Sequence, residues 1–186
     1  MFSEYEAIKE ICELSKDIVI TSVGNISKIV YDIEGENKNV FYMLGSMGLS
    51  ISFGLGIAMS DSSKRVVAFV GDGAGLMNLG AFALVGSQEC KITIIVIDNG
   101  IYNTTGSQES LSGNIKWKEC IESLGVSSVF YCIDADEVKN AWKKVEEQEA
   151  GPSVIIIKTM PIKEKIKRVQ ISPRTIMDKF KEKLEV

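Results

Sequence analysis

The chain has 186 residues, a mass of 20.4 kDa, 45% hydrophobic and 25% charged residues, and a net charge of −4 with a pI near 5.1. This length suits one domain with a full core, the composition excludes disorder as the main state, and the mildly acidic balance argues against a nucleic-acid or anionic-membrane partner. Histidine is missing altogether, so a Ser-His-Asp triad, a Cys-His pair and a His-ligated metal are excluded within the chain, and acid–base work falls to a carboxylate, Lys, Tyr, Cys or a cofactor.

In chain order, Ser3-x-x-Glu6 is a capping box that opens a helix over 4–15, with Ala7, Ile8, Ile11 and Cys12 at helical spacing. Glu4, Glu6 and Glu10 read as its solvated face. A short strand is predicted at 17–21, then Gly24-Asn25 and a helix to Tyr31, and a brief strand at 40–42. Residues 45–59 read as a small-residue helix, 65–70 as a buried strand, Gly71-Asp72-Gly73 as a tight turn, and 76–85 as a helix. The apolar run 91–97 is a second buried strand. Residues 99–114, rich in Gly, Asn, Ser and Thr, form a long loop, and such a loop in a compact domain is usually functional. A helix at 115–124, a strand at 129–133, a helix from Asp134 to Gln148 and a last buried strand at 154–157 follow. The tail, 159–186, is basic at its start and ends in a helix over 175–184 behind Ser172-Pro173.

Alternating strands and helices with continuously apolar middle strands predict an α/β fold, a three-layer, doubly wound parallel sheet of about six strands with helices on both faces. One domain is expected over 1–186. Cys12, Cys90, Cys120 and Cys132 are widely scattered, with no C-x-x-C pair among them. That is no zinc or disulfide framework, so reduced, mostly buried thiols in a cytoplasmic protein are expected. No targeting segment and no membrane-spanning run is visible.

Asp72 follows one predicted strand and Asn99 the next, and the stretch between them accommodates one helix and one strand. In a right-handed β-α-β unit both emerge at the carboxyl edge of the sheet, side by side if the strands are neighbours. The N–H groups of Gly73 and Ala74 favour a phosphate, which a bare Asp72 repels. A divalent cation between them resolves the conflict, and carboxylate, amide, carbonyl and phosphate oxygens suit Mg²⁺. An ordinary turn, a Rossmann dinucleotide domain with Asp98 as its strand-end acid, and a non-catalytic scaffold remain open alternatives, although Gly71-Asp72-Gly73-Ala74-Gly75 departs from G-x-G-x-x-G.

Strand, Gly71-Asp72-Gly73, helix, strand and Asp98-Asn99 together resemble the motif of thiamine-diphosphate enzymes. The resemblance implies Asp72 and Asn99 as side-chain Mg²⁺ ligands and Ile101 as a carbonyl ligand. Many members have Asn-Asn where this chain has Asp98-Asn99, but the second position is the ligand. Gly45-Ser46-Met47-Gly48 is similar to a second motif of these decarboxylases. It implies that the Gly45 carbonyl accepts from the cofactor's 4′-amino group and that Met47 is the apolar wedge that bends the cofactor. Ser46, Gly71, Gly73, Ala74 and Tyr102 complete the implied cofactor contacts. Segments 21–28, 40–50, 71–80 and 98–108 are similar to the group of sulfopyruvate and phosphonopyruvate decarboxylases, the last nearer to the sulfopyruvate branch. Lys28 stands where that group has Arg or Lys. Thr104, Thr105 and Gln108 are candidate substrate donors.

The family's activating Glu lies on a pyrimidine-binding domain that this chain does not match, so no catalytic residue is assigned here. The resemblance thus implies a beta-type subunit of a hetero-oligomer with an alpha-type, pyrimidine-domain partner, leaving a homodimer open for the isolated chain. The implied reaction is decarboxylation of a small anionic 2-oxo acid, sulfopyruvate to sulfoacetaldehyde first and phosphonopyruvate next.

Overall fold

A computed structural model describes residues 2–184; residues 1 and 185–186 of the expected domain lie outside the described residues. The strands are β1 (Ile18–Ile20), β2 (Val40–Phe41), β3 (Val66–Gly71), β4 (Ile92–Asp98), β5 (Ile101–Tyr102), β6 (Gln108–Glu109), β7 (Ser128–Cys132) and β8 (Ser153–Lys158). Six of them form one parallel sheet in the order β2-β1-β3-β4-β8-β7, and β5 and β6 form a separate antiparallel hairpin. The sheet strands at the centre are runs of β-branched residues buried on both sides, from Ile92 to Asp98 without a break. Such strands are stable only with helices on both faces.

The helices are α1 (Glu4–Leu14), α2 (Asn25–Glu34), α3 (Ser50–Ser60), α4 (Asp72–Met77), α5 (Gly80–Gly86), α6 (Trp117–Ser123), α7 (Ala135–Glu146) and α8 (Pro173–Leu184). Side chains alternate along each strand, so one face of the sheet carries Ile18, Ala68, Ile94 and Ile156 under α3, α5 and α6. The other carries Val19, Phe69, Ile95 and Ile155 under α1, α2 and α7. Phe69 and Phe82 are fully buried, one on each side. Truncating either to Ala would cost about 3–5 kcal/mol in lost transfer energy and cavity. The edge strand β2 packs against α8, where Phe180 meets Phe41 with ring centroids 5.2 Å apart.

Local chemistry accounts for the helix ends. The capping box of α1 is formed, with Ser3 Oγ accepting the Glu6 N–H at 3.2 Å and Glu6 Oε2 accepting the Ser3 N–H at 2.8 Å. Asp134 Oδ1 caps α7 by accepting the Glu137 N–H at 2.9 Å. Three expectations are corrected. The helix expected over 45–59 starts only at Ser50, because Ser46 (φ 61°) and Gly48 (φ 87°) are left-handed and no α-helix continues through them. Gly71-Asp72-Gly73 is no turn: Gly71 is the N-cap and Asp72 the first residue of α4. The helix expected over 76–85 is two helices broken at Asn78-Leu79. Within 99–114 the chain forms the β5–β6 hairpin and a 3₁₀ turn at Leu111–Asn114. No helix among the described residues is long and apolar enough to cross a membrane.

Candidate functional site

The chain leaves β1 for α2 on one face of the sheet and leaves β3 for α4 and α5 on the other. Between those two carboxyl ends no crossover covers the sheet, and ligands of doubly wound folds bind at this point. A cleft opens there. It is lined by the segments after β1 (22–26), β3 (71–74) and β4 (99, 101–104), with Met47 and Glu4 at its sides.

β3 and β4 are neighbours, with Gly71 opposite Ile97, and this register brings Asp72 and Asn99 to one edge. Asp72 is 3% exposed. Its Oδ2 accepts the Gly100 N–H at 3.2 Å and the Ser110 hydroxyl. Burial pushes the Asp72 carboxyl above the usual carboxylate range, the Ser110 hydroxyl and the Gly73 and Gly100 N–H groups pull it back, and the charge of Asp98 adds to the rise. No Lys or Arg pairs with Asp72 among the described residues. Asn99 Oδ1 accepts the Ile101 N–H at 3.0 Å, and Asn99 Nδ2 donates to Glu4 Oε2 at 2.8 Å. Asp98 turns away: Lys158 donates to its Oδ2 at 3.1 Å and Ser112 to its Oδ1 at 2.6 Å, and Trp117 Nε1 donates to Ser112 at 2.7 Å. That relay pins the 3₁₀ turn, and with it Ser110, beside Asp72.

Gly73 has no side chain for a physical reason. The Tyr102 ring lies over it, and a Cβ there would stand 2.6 Å from Tyr102 Cζ. The result is a bare-backbone cradle floored by Gly71, Gly73 and Ala74 and roofed by Tyr102. Met47 lines the cleft and is partly exposed, whereas Gly45 and Ser46 line a separate apolar hollow with Phe53 and Ile176. The loop is held against α4 by Asn78, whose Nδ2 donates to the Gly48 carbonyl at 2.9 Å. Gly48 is needed there, since a Cβ would lie 3.1 Å from the Ala74 carbonyl at a φ that disfavours L side chains.

Thr104 reaches the cleft beside Gly24, but Thr105 and Gln108 do not line it; Thr105 Oγ1 donates to Gln108 Oε1 at 2.8 Å instead. Lys28 also lies outside the lining, donating to Asn25 Oδ1 at 3.2 Å. The expectation for Glu4 is overturned: it is 1% exposed and lines the cleft. Glu6 is exposed in the cap as expected, and Glu10 is part-buried and faces Lys139 at 3.6 Å. Sequence reasoning also missed Ser110 and Asn78; a lone Ser in a polar loop and an Asn in a helical run carry no signal of their contacts. All four cysteines are free, with Cys12, Cys90 and Cys132 buried.

The lining carries two carboxylates, Asp72 and Glu4, and neither Lys nor Arg. It accepts an anion only together with a cation. Among the described residues no group of three or more His, Cys, Asp or Glu converges, so a cation here needs oxygens from its ligand as well.

Comparison with known proteins follows the same lines. Residues 22–157 match the model of the thiamine pyrophosphate enzyme, C-terminal TPP binding domain. The chain is 35% identical over 180 residues to the sulfopyruvate decarboxylase subunit beta of Methanococcus maripaludis, covering 96% of this chain and 95% of that one. It is 34% identical over 176 residues to the sulfopyruvate decarboxylase of Methanosarcina acetivorans, covering 94% of this chain but 45% of that one. The benzoylformate decarboxylase structure from Polynucleobacter necessarius superposes with a TM-score of 0.69 at 18% identity, over 88% of this chain and 34% of that chain, and so shares the fold. The dinucleotide-domain alternative gives way, and the chain belongs to the thiamine pyrophosphate enzymes, as a member of their C-terminal TPP-binding domain family.

Proposed function

We propose that this chain is the beta-type, diphosphate-binding subunit of a thiamine-diphosphate-dependent 2-oxo acid decarboxylase that converts sulfopyruvate to sulfoacetaldehyde and CO₂. The observation that carries the reading is the pair Asp72 and Asn99 on adjacent parallel strand ends, facing one cleft that has carboxylates and a bare-backbone cradle but no cationic side chain. Thiamine diphosphate, when bound, supplies the electron sink that a 2-oxo acid needs to lose CO₂. The residues present fit its diphosphate together with Mg²⁺. Asp72 Oδ, Asn99 Oδ1 and the Ile101 carbonyl would hold the metal, and the backbone of Gly71, Gly73 and Ala74 would receive the phosphate oxygens. Tyr102 would close the cradle from above. Gly45 would accept from the aminopyrimidine and Met47 would support its bend. Ser46 sets the Gly45 carbonyl: its left-handed φ of 61° is a strained conformation for a non-glycine residue, of the kind retained where a site demands it. Thr104 is the substrate donor that the cleft lining favours; Thr105 and Gln108 would need to leave their mutual hydrogen bond to take part.

The activating carboxylate and the pyrimidine-binding half come, in this reading, from an alpha-type partner. The Methanosarcina relative supports it, because this chain spans only 45% of that longer sulfopyruvate decarboxylase. So do Leu44, Leu49, Met59, Met77 and Leu84, large apolar side chains left exposed around α3, α4 and α5. The test is calorimetric titration of the assembled enzyme with thiamine diphosphate, with and without Mg²⁺. Mg²⁺-dependent binding is expected. Binding that ignores Mg²⁺, or none, would refute the reading.

A further inference from the structure

We infer that Glu4 is a positioning residue that selects the metal-binding orientation of the Asn99 side chain; the inference rests on the proposed Mg²⁺–diphosphate reading of the cleft. An asparagine amide has two nearly isosteric orientations, one presenting oxygen and the other NH₂. Only oxygen ligates a metal, so something must choose. On the nitrogen side of Asn99 stands Glu4 Oε2, 2.8 Å from Nδ2, which leaves Oδ1 on the opposite side, at the Ile101 N–H. A carboxylate accepts and never donates when ionised, so its partner must turn its nitrogen inward.

The surroundings of Glu4 fix that polarity. Its Oε1 accepts the Ile162 N–H at 3.2 Å and faces Asn25 Nδ2 at 3.4 Å and Asn103 Nδ2 at 3.5 Å. Every neighbour offers a donor, none is a cation, and the residue is 1% exposed. Asn25 is in turn oriented by Lys28, whose Nζ donates to its Oδ1 at 3.2 Å. Glu4 therefore ties together the loops after β1 and β4 and the segment after β8. It reaches the carboxyl edge of the sheet because the first residues run alongside the chain beyond β8. The Met160 N–H donates to the Phe2 carbonyl at 2.9 Å, and the Glu4 N–H to the Met160 carbonyl at 3.0 Å. A buried carboxylate is expensive to keep. One whose two oxygens both face side-chain amides of a ligand cleft, Asn99 on one side and Asn25 and Asn103 on the other, has a use that a helix terminus alone does not require.

The test exploits hydrogen-bond polarity. Glu4→Gln preserves shape but offers NH₂ somewhere among four donors, and the Asn99 amide then flips. In the assembled enzyme, Glu4→Gln weakens Mg²⁺-dependent thiamine-diphosphate binding, read by calorimetry, by about 10- to 100-fold, the usual loss when a group orienting a metal ligand is removed. Asn99→Asp alone sets two carboxylates face to face and also binds weakly. The double variant E4Q/N99D restores the same hydrogen bond with its polarity reversed, the new amide donating to the new carboxylate, and binds better than either single variant. The Mg²⁺ concentration needed for half-saturation follows the same order, which a merely structural role for Glu4 would not produce. Glu4→Gln within threefold of wild type overturns the inference, as does a double variant no better than Asn99→Asp. If Glu4→Gln does not fold, the comparison of E4Q/N99D with Asn99→Asp decides alone. A wild-type enzyme without Mg²⁺-dependent binding overturns the proposed function and this inference together, whereas intact wild-type binding with an indifferent Glu4 overturns this inference only.

Discussion

Replacing Asp72 by Asn should make the cofactor-free protein more stable while removing its response to cofactor. Asp72 is 3% exposed and has no cationic partner among the described residues. Its Oδ2 satisfies the Gly100 N–H and the Ser110 hydroxyl. An amide oxygen can accept from both, so the substitution orphans no donor. It removes an uncompensated buried charge, whose penalty is several kcal/mol. The charge-assisted hydrogen bonds that offset part of that penalty are worth about 1.5–3 kcal/mol each, and the Asn oxygen keeps those from Gly100 and Ser110 in weaker, neutral form. A net gain of about 1 kcal/mol remains, or a rise in Tm of about 2–4 °C for a chain of this size. Wild type regains more than this on binding: at one hundred times Kd the cofactor contributes about 2.7 kcal/mol. The ranking should therefore invert. Asn at this position melts higher without ligands, and wild type melts higher with saturating thiamine diphosphate and Mg²⁺. Scanning calorimetry of the assembled enzyme at fixed protein concentration reads both. A variant several degrees less stable without ligands would show the Asp72 carboxylate to be structural, and a variant that keeps its ligand-induced shift would remove Asp72 from the metal site.

Other outcomes follow from the same geometry. Met47→Ala should lower turnover about tenfold, some 1.4 kcal/mol of activation free energy, with cofactor affinity little changed; normal turnover with a lowered Tm would make Met47 simply a packing residue. Burial pushes the Asp17 carboxyl up, against the pull of the Ser15 hydroxyl and Arg65. The folded state thus holds that proton more tightly, and stability present below the ordinary carboxylate range is lost as pH rises through the folded value. Asp17→Asn should gain on wild type from about pH 4 upward, and urea melts in acid and at neutrality with an equal gap would contradict this. Burial pushes the Cys12 and Cys132 thiols up to about 12, while Cys120 is part-exposed. Ellman's reagent at about pH 8 should label Cys120 first, with the buried thiols of Cys12, Cys90 and Cys132 reacting only on unfolding; fast labelling that survives Cys120→Ser would refute it.

The centre of the sheet was legible because β4 and β8 are short, continuous runs of β-branched residues bounded by turn residues, the pattern of strands buried on both faces. That Asp72 and Asn99 share one sheet edge was legible because the stretch between them is just long enough for one crossover, and Gly71 does lie opposite Ile97. The ends of α3 and α4 were not. Residues 45–49 are as small and apolar as the helix that follows, and only the sign of φ at Ser46 and Gly48 separates loop from helix. Asn78 separates the two helices with its side chain committed to the Gly48 carbonyl on another segment, a contact that no local pattern announces. Glu4 was misread for the same kind of reason. Three acidic residues in the first turns of an amphipathic helix look solvated. What buries the first of them is a bridge between Ser3 and Met160, from nearly opposite ends of the sequence, which no local pattern announces.

The most direct measurement of the central claim is CO₂ release from 3-sulfopyruvate, with pyruvate and phosphonopyruvate as comparison substrates, in the presence of thiamine diphosphate and Mg²⁺. The chain is assayed alone and after assembly with a pyrimidine-domain partner chain. No turnover is expected from this chain alone, turnover in the assembled enzyme, and a higher kcat/KM for 3-sulfopyruvate than for the other two. A clear preference for pyruvate would contradict the substrate assignment. Substantial turnover by this chain alone, abolished by mutating one of its own glutamates, would contradict the division of the site between two subunits.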